Sequence, residues 1–198
     1  VGAVGRKHGA HWERQIIFLM INEDWSTQFM KLTDIAPLED WARIENESFE
    51  KFGMQSSVFN VDGVRITDTK NWSNRICPAI KATDKGQTFI CATAHMNMAN
   101  EAKQTRKPVV EECDAGLLKI VVPIFAGDKF VGAAGGCGIL MEGGEVDSFA
   151  VNKIVELEED KVLELSEGVP VITRETAEAM CDFFTAQISS LVEEALSP

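Results

Sequence analysis

Apolar and polar positions along this chain repeat with two different periods, and the changes of period mark out its elements. The densest apolar stretch runs from Lys107 to Leu140, KPVVEECDAGLLKIVVPIFAGDKFVGAAGGCGIL. Turn residues interrupt it at Asp114-Ala115-Gly116 and at Ala126-Gly127-Asp128-Lys129, so it reads as three consecutive antiparallel strands. The third strand carries Gly132, Gly135, Gly136 and Gly138. Glycine weakens a strand unless a backbone or a ligand has to come close, so this strand needs a reason for its glycines.

Upstream the period is helical. From Pro37 to Phe52 the apolar residues Leu38, Trp41, Ile44, Phe49 and Phe52 share one stripe, and Glu39, Asp40, Glu45, Glu47 and Glu50 take the other faces. That is an amphipathic helix with Pro37 at its entry and Gly53 as its C-terminal cap. Val58 to Ile66 then alternates around Asp62-Gly63, a β-hairpin signal. Ser73 or Asn74 is placed to cap a short helix holding Ile76, Cys77, Ala79 and Ile80. A longer helix is expected from Phe89 to Lys107, with Cys91, His95, Met98 and Ala102 on one face and Pro108 as its stop. Downstream, Val146 to Glu159 reads as a further helix. Thr173 opens a final one whose stripe is Met180, Phe184, Ile188, Leu191 and Ala195.

These elements predict an α+β fold: a central five-stranded antiparallel sheet, helices over one face, and a long C-terminal helix. The expected organisation is an N-terminal extension over residues 1–34, a central domain over 35–170, and a signalling or dimerisation helix over 171–198. The extension holds the glycine-rich start Val1–Ala10, His8 and His11, and the segment Trp12–Trp25, whose apolar centre at Ile16–Ile21 is too short to cross a membrane. One amphipathic helix cannot hide its own stripe. The final helix is therefore expected to pair with its copy in a second chain, with folding back on the sheet as the alternative.

Composition narrows the function. The net charge of −12 over 198 residues opposes contact with a phosphate backbone, so direct nucleic-acid binding is not expected. Five cysteines in a chain able to build its own core speak against a secreted disulfide scaffold and for a reducing, cytoplasmic setting. No G-x-S-x-G, P-loop or dinucleotide-binding glycine motif is present, and no catalytic residue is assigned.

The thiols are the most specific chemistry. Cys77, Cys91, Cys113 and Cys137 lack C-x-x-C spacing, yet the predicted elements bring them toward one end of the sheet. Four thiolates there suit zinc or an iron–sulfur cluster. The plainer reading is that they are small buried apolar residues, as free cysteines usually are, and Cys181 is assigned to packing. His95 follows Cys91 by a helical turn. The two can share a site or form a thiolate–imidazole pair, and a small thiol enzyme is the least favoured reading.

Several of these residues fall in a pattern. Cys77-Pro78, Cys91, Lys107-Pro108-Val109-Val110, Cys113-Asp114-Ala115-Gly116-Leu117, Val122-Pro123-Ile124, Val131-Gly132 and Gly135-Gly136 together resemble the PocR ligand-sensing family over about Ile35 to Leu140. The resemblance implies a PAS-like, non-enzymatic sensory domain of bacterial or archaeal signal transduction. It implies joining to a histidine kinase, chemotaxis receptor or transcription regulator as output module, and sensing of small hydrocarbon derivatives such as diols. The expected ligand-binding residues are Trp72, Cys77, Cys91, His95, Cys113, Asp114, Gly136 and Cys137, with Cys77, Cys91, Cys113 and Cys137 as candidate metal ligands. Two positions depart from the family: Asp114 where histidine is usual, and Cys137 where glutamine is usual. The second supplies a fourth thiol and points toward a metal or redox-active pocket.

Overall fold

The computed structural model describes residues 30–197. The expectations for Val1–Ala10, for His8 and His11, and for Trp12–Trp25 lie outside the described residues. The described chain opens with helix α1 (Leu32–Ile35) and helix α2 (Leu38–Phe52), and Pro37 stands at the α2 N-cap. Trp41 joins the two: its indole Nε1 donates to the carbonyls of Leu32 at 3.0 Å and Ala36 at 3.2 Å. Leu32 is buried in the main core and Met30 packs against it.

Strand β1 (Gln55–Asn60) follows. The chain then turns back at Asp62-Gly63 as expected, with the Asn60 side chain accepting from the amides of Asp62 and Val64. The returning arm does not become a strand; it makes one isolated bridge, Phe59 to Arg65. Arg65 and Thr67 there turn inward to Glu45. Helix α3 (Ile76–Lys81) leads through a π-helical segment, Gly86–Ala92, into helix α4 (Thr93–Thr105). The single helix expected from Phe89 is thus two, and Thr93 Oγ1 donates back five residues to the Thr88 carbonyl at their junction.

Strands β2 (Val109–Glu112), β3 (Leu118–Ala126) and β4 (Lys129–Met141) are the three central strands read from the sequence. Helices α5 (Ser148–Val155) and α6 (Glu159–Ser166), the short strand β5 (Val171–Ile172) and helix α7 (Arg174–Leu196) complete the chain. The sheet order is β1-β4-β3-β2, all antiparallel. The fifth strand is β5, which pairs parallel to the end of β4, rather than the second arm of the hairpin.

Helices cover both faces of the sheet, not one. On one face α1, α2 and α7 enclose a core of Trp41, Ile44, Val58, Ile120, Val122, Ile124, Met180 and Phe184. On the other face α4 packs Met98 and Ala102 against Val109, Val121 and Ala133. A satellite core at the end of the sheet joins Ile76, Ile80 and Ile90 to Ala115, Leu117, Val151, Val162 and Val169. The stripe of α7 is therefore covered within the chain: Met180 and Phe184 are fully buried, and Ile188 and Leu191 nearly so. The unpartnered stripe that argued for pairing with a second chain does not exist; folding back on the sheet gives these residues a larger apolar partner.

Glu45, placed by its helical spacing on the polar side of α2, is instead buried at 1 % exposure. Its Oε1 accepts from the Val58 amide at 2.8 Å and from Thr67 Oγ1 at 2.6 Å, and Arg65 Nη2 stands 3.5 Å from Oε2. This carboxylate clamps α2, β1 and the returning arm together. Removing one member of a buried charged cluster leaves the others poorly solvated. Glu45→Ala should lower unfolding stability by about 2–3 kcal/mol in urea titrations. Glu47→Ala, which only loses the exposed pair with Arg43, should change it by about 0.5 kcal/mol or less.

Candidate functional site

The site is built on a break in strand register. Leu118 faces Ile139 but Lys119 faces Cys137, so Gly138 is the extra residue of a β-bulge in β4. Its φ of +94 belongs to the region that favours glycine. The bulge resets the alternation of β4. Cys137 points to the α4 face, and Ile139 joins the core under α7.

Asn74 holds this bulge. Its Nδ2 donates to the Gly138 carbonyl at 2.5 Å and lies 3.3 Å from Cys77 Sγ, while its Oδ1 accepts from the Cys77 amide at 2.7 Å. One side chain thus caps the start of α3, as the sequence suggested, and carries Cys77 to the bulge. A Cβ at position 138 would stand 2.9 Å from Asn74 Nδ2 and 3.3 Å from Cys77 Sγ. Ser73, the other candidate cap, instead accepts from the Gln55 amide at 2.6 Å and ties the loop to β1.

The four thiols converge. Cys77, Cys91, Cys113 and Cys137 lie close enough for each to act electrostatically on the others. Cys113 follows β2 and Cys137 lies in β4, with β3 between them, so they meet around the end of a strand rather than across a neighbouring pair. Burial dominates their chemistry: it pushes the Cys77 and Cys113 thiols up and Cys91 up to about 11. Cys113 has an opposing influence, since the Ala115 and Leu117 amides are directed at its sulfur and favour the thiolate. Among the described residues, no three His, Cys, Asp or Glu side chains stand in a metal-holding arrangement. The thiols are neighbours without forming a ready coordination shell.

Beside the thiols a small cleft open to solvent lies between the sheet and helices α3 and α4. Gln55, Ser57 and Phe59 from β1, Lys119 and Val121 from β3, and Gly135 and Cys137 from β4 form its floor. His95 and Lys81 close it from the helices. Gly135 is required for that floor, since a Cβ there would come within 2.0 Å of the Ile120 carbonyl oxygen. A second, roomier cleft lies on the far side of His95, lined by Asn60, Met96, Asn100, Lys103 and Phe130, and it contains no thiol.

His95 forms the wall between the two clefts. Its ring stacks on Phe59 with centroids 4.0 Å apart. Burial, with the Lys119 charge adding to it, lowers its pKa to about 3, so it is neutral at pH 7. The groups acting on Cys91 and Cys113 are lysines, amides and other thiols; His95 is not among them. The arrangement gives no thiolate–imidazole pair.

The remaining expected residues sit less centrally. Trp72 does not line the cavity, but Lys81, which does, lies over its ring at 5.2 Å. Asp114 is exposed in the turn after β2. The backbone of Gly136 borders the cavity, while a Cβ there would strike Met54 Cε at 2.4 Å on the opposite face. Cys181 is buried in the main core under α7, a packing residue.

Sequence reasoning overlooked Gln55, Ser57, Lys81 and Lys119. Lys119 had a visible signal: it is the one charge within the apolar run Leu117–Phe125. Gln55 is 3 % exposed, and its Nε2 has no hydrogen-bond partner.

A family model described as the sensory domain found in PocR matches residues 34–196. The match takes in most of the chain, including α7, and the chain belongs to that family. No curated protein and no solved structure matches it. Among the described residues, no helix is long and apolar enough to cross a membrane.

The low pKa of His95 makes stability depend on pH in a defined sense. The unfolded chain protonates this imidazole below about pH 6.5, whereas the folded chain resists until about pH 3, so the unfolded state binds more protons between those values. Stability is therefore full above pH 6.5 and falls as pH drops through that window. Between pH 6.5 and 5.0 His95 should account for a loss of about 1.5 kcal/mol. The loss is read as the difference between parent and His95→Gln in urea midpoints at the two pH values; parallel pH profiles would contradict the assignment.

Proposed function

We propose that this sensory domain recognises a small molecule in the cavity between β1, β3, β4 and the α3–α4 layer, and passes its occupancy to a signalling output module. The observation that carries the reading is the cavity wall itself. Buried polar groups are nearly always hydrogen-bonded in folded proteins, and one left unpaired costs free energy. Gln55 Nε2 is left unpaired here, on a wall shared with Ser57, His95, Lys81 and Lys119. Such a wall suits a polar ligand of a few heavy atoms, in keeping with the small hydrocarbon derivatives that the family resemblance implies. Recognition requires no covalent chemistry, and the neutral His95 and raised thiols suit a binding site better than a catalytic one.

The convergence of the thiols favours a second reading, in which Cys77, Cys91, Cys113 and Cys137 hold zinc or an iron–sulfur cluster. The amides aimed at the Cys113 sulfur fit that reading, because they support a thiolate. Binding there would displace the protons that burial holds on Cys77, Cys91 and Cys113, so metal uptake would strengthen as pH rises. Under this reading the domain responds to redox state or metal supply.

Two measurements separate the readings. For the first, thermal-shift screening of the whole chain against small diols, alcohols and carboxylic acids should yield a stabilising compound. Ser57→Leu, which fills the cavity, should remove that shift while leaving the circular dichroism unchanged; a shift that survives the filled cavity places the ligand elsewhere. For the second, anaerobically purified protein should contain stoichiometric metal, or show cluster absorption, that disappears in Cys137→Gln. Metal-free anaerobic protein discards the second reading.

A further inference from the structure

The polar groups on the cavity wall are unbalanced in sign. Lys81 and Lys119 line it, and no aspartate or glutamate does. Lys119 is 8 % exposed, yet among the described residues no carboxylate pairs with its ammonium and nothing hydrogen-bonds to it. Its lateral neighbour in the sheet, Glu111, is exposed and makes no such pair. Its stem is buried and its ammonium keeps contact with the open cleft, where an anion can reach it.

The thiols do not supply the missing charge. Burial holds the Cys91 thiol up to about 11 and raises Cys113 as well, so both are protonated at neutral pH. Nor is the positive wall a general property of the surface, since the chain carries a net charge of −12. The register sets the spacing of the unpaired Gln55 amide and the Lys119 side chain. Gln55 and Lys119 both pair with Cys137, one from each side, so they flank it on the same face of the sheet.

From this juxtaposition we infer that the ligand is a small organic carboxylate, held above Cys137 between the Lys119 ammonium and the Gln55 amide. One carboxylate oxygen accepts a charge-assisted hydrogen bond from Lys119 Nζ, and the other accepts from Gln55 Nε2. The Ser57 hydroxyl and the neutral His95 ring, backed by Phe59, meet the uncharged part of the molecule. The inference rests on the small-molecule reading above and adds the charge of the ligand to it.

The test uses matched acids and diols on the whole chain at constant ionic strength: glycolate against ethylene glycol, and lactate against propylene glycol. Calorimetry and thermal shift should show the acids binding at least about tenfold more tightly than their neutral partners. Lys119→Met and Gln55→Leu should each weaken acid binding by about tenfold to a hundredfold. Lys119→Met should leave the ligand-free melting temperature about unchanged, because it keeps the buried stem and removes only a charge that contacts the open cleft. Circular dichroism checks both folds, and Gln55→Leu carries the test if Lys119→Met does not fold. Diols that bind as well as the acids, or acid binding indifferent to both substitutions, would overturn the carboxylate and leave the ligand pocket standing. If neither acids nor diols bind, both fall together.

Discussion

The register break at Gly138 is the constraint on which the site depends. Without it β4 would alternate strictly, and Cys137 and Ile139 would point to the same face. One of them would then be misplaced: a thiol in the core under α7, or an isoleucine among the polar groups of the cavity. The extra residue lets one strand serve two environments. Asn74 secures it by directing its side-chain hydrogen bonds locally, to the bulge carbonyl and to the first turn of α3. The position of Cys77 is therefore a consequence of the bulge.

Two buried charges on opposite faces of the sheet show how differently the fold treats polarity. Glu45 is surrounded by donors: an amide, a hydroxyl and a guanidinium reach its carboxylate. It acts as a structural rivet, with Oε1 doubly hydrogen-bonded and Oε2 left to the Arg65 ion pair alone. Lys119 buries its stem on the other face and leaves its ammonium to the open cleft, with no carboxylate paired to it among the described residues. The Gln55 amide, unpaired on the same side, fits that division.

Much of this architecture was legible in the sequence because it rests on local rules. The hairpin turns at Asp114–Gly116 and Gly127-Asp128 delimit β2, β3 and β4, Pro37 and Gly53 bracket α2, and Thr173 caps α7 by accepting from the Thr176 amide. What was misread depends on distant partners. Helical spacing placed Glu45 in water, because nothing near it in sequence announces Arg65 and Thr67. The stripe of α7 is the same whether a second chain or the chain's own sheet covers it, and only the three-dimensional path decides. The family cysteines drew attention to one end of the sheet, but Gln55 and Lys119, which line the cleft beside them, belong to no motif. A lone lysine in an apolar strand was their one trace.

Gly135 and Gly136 have a mechanical meaning beyond the close approach they permit. The first borders the cavity, and the second presses its bare Cα toward Met54 in the opposite core. At this point the sheet has no side chains of β4 on either side and is reduced to the thickness of its own backbone. The cleft on one side and the core under α7 on the other are separated there by backbone alone, a diaphragm rather than a wall, and a shift of that stretch of β4 would change the boundary of both at once.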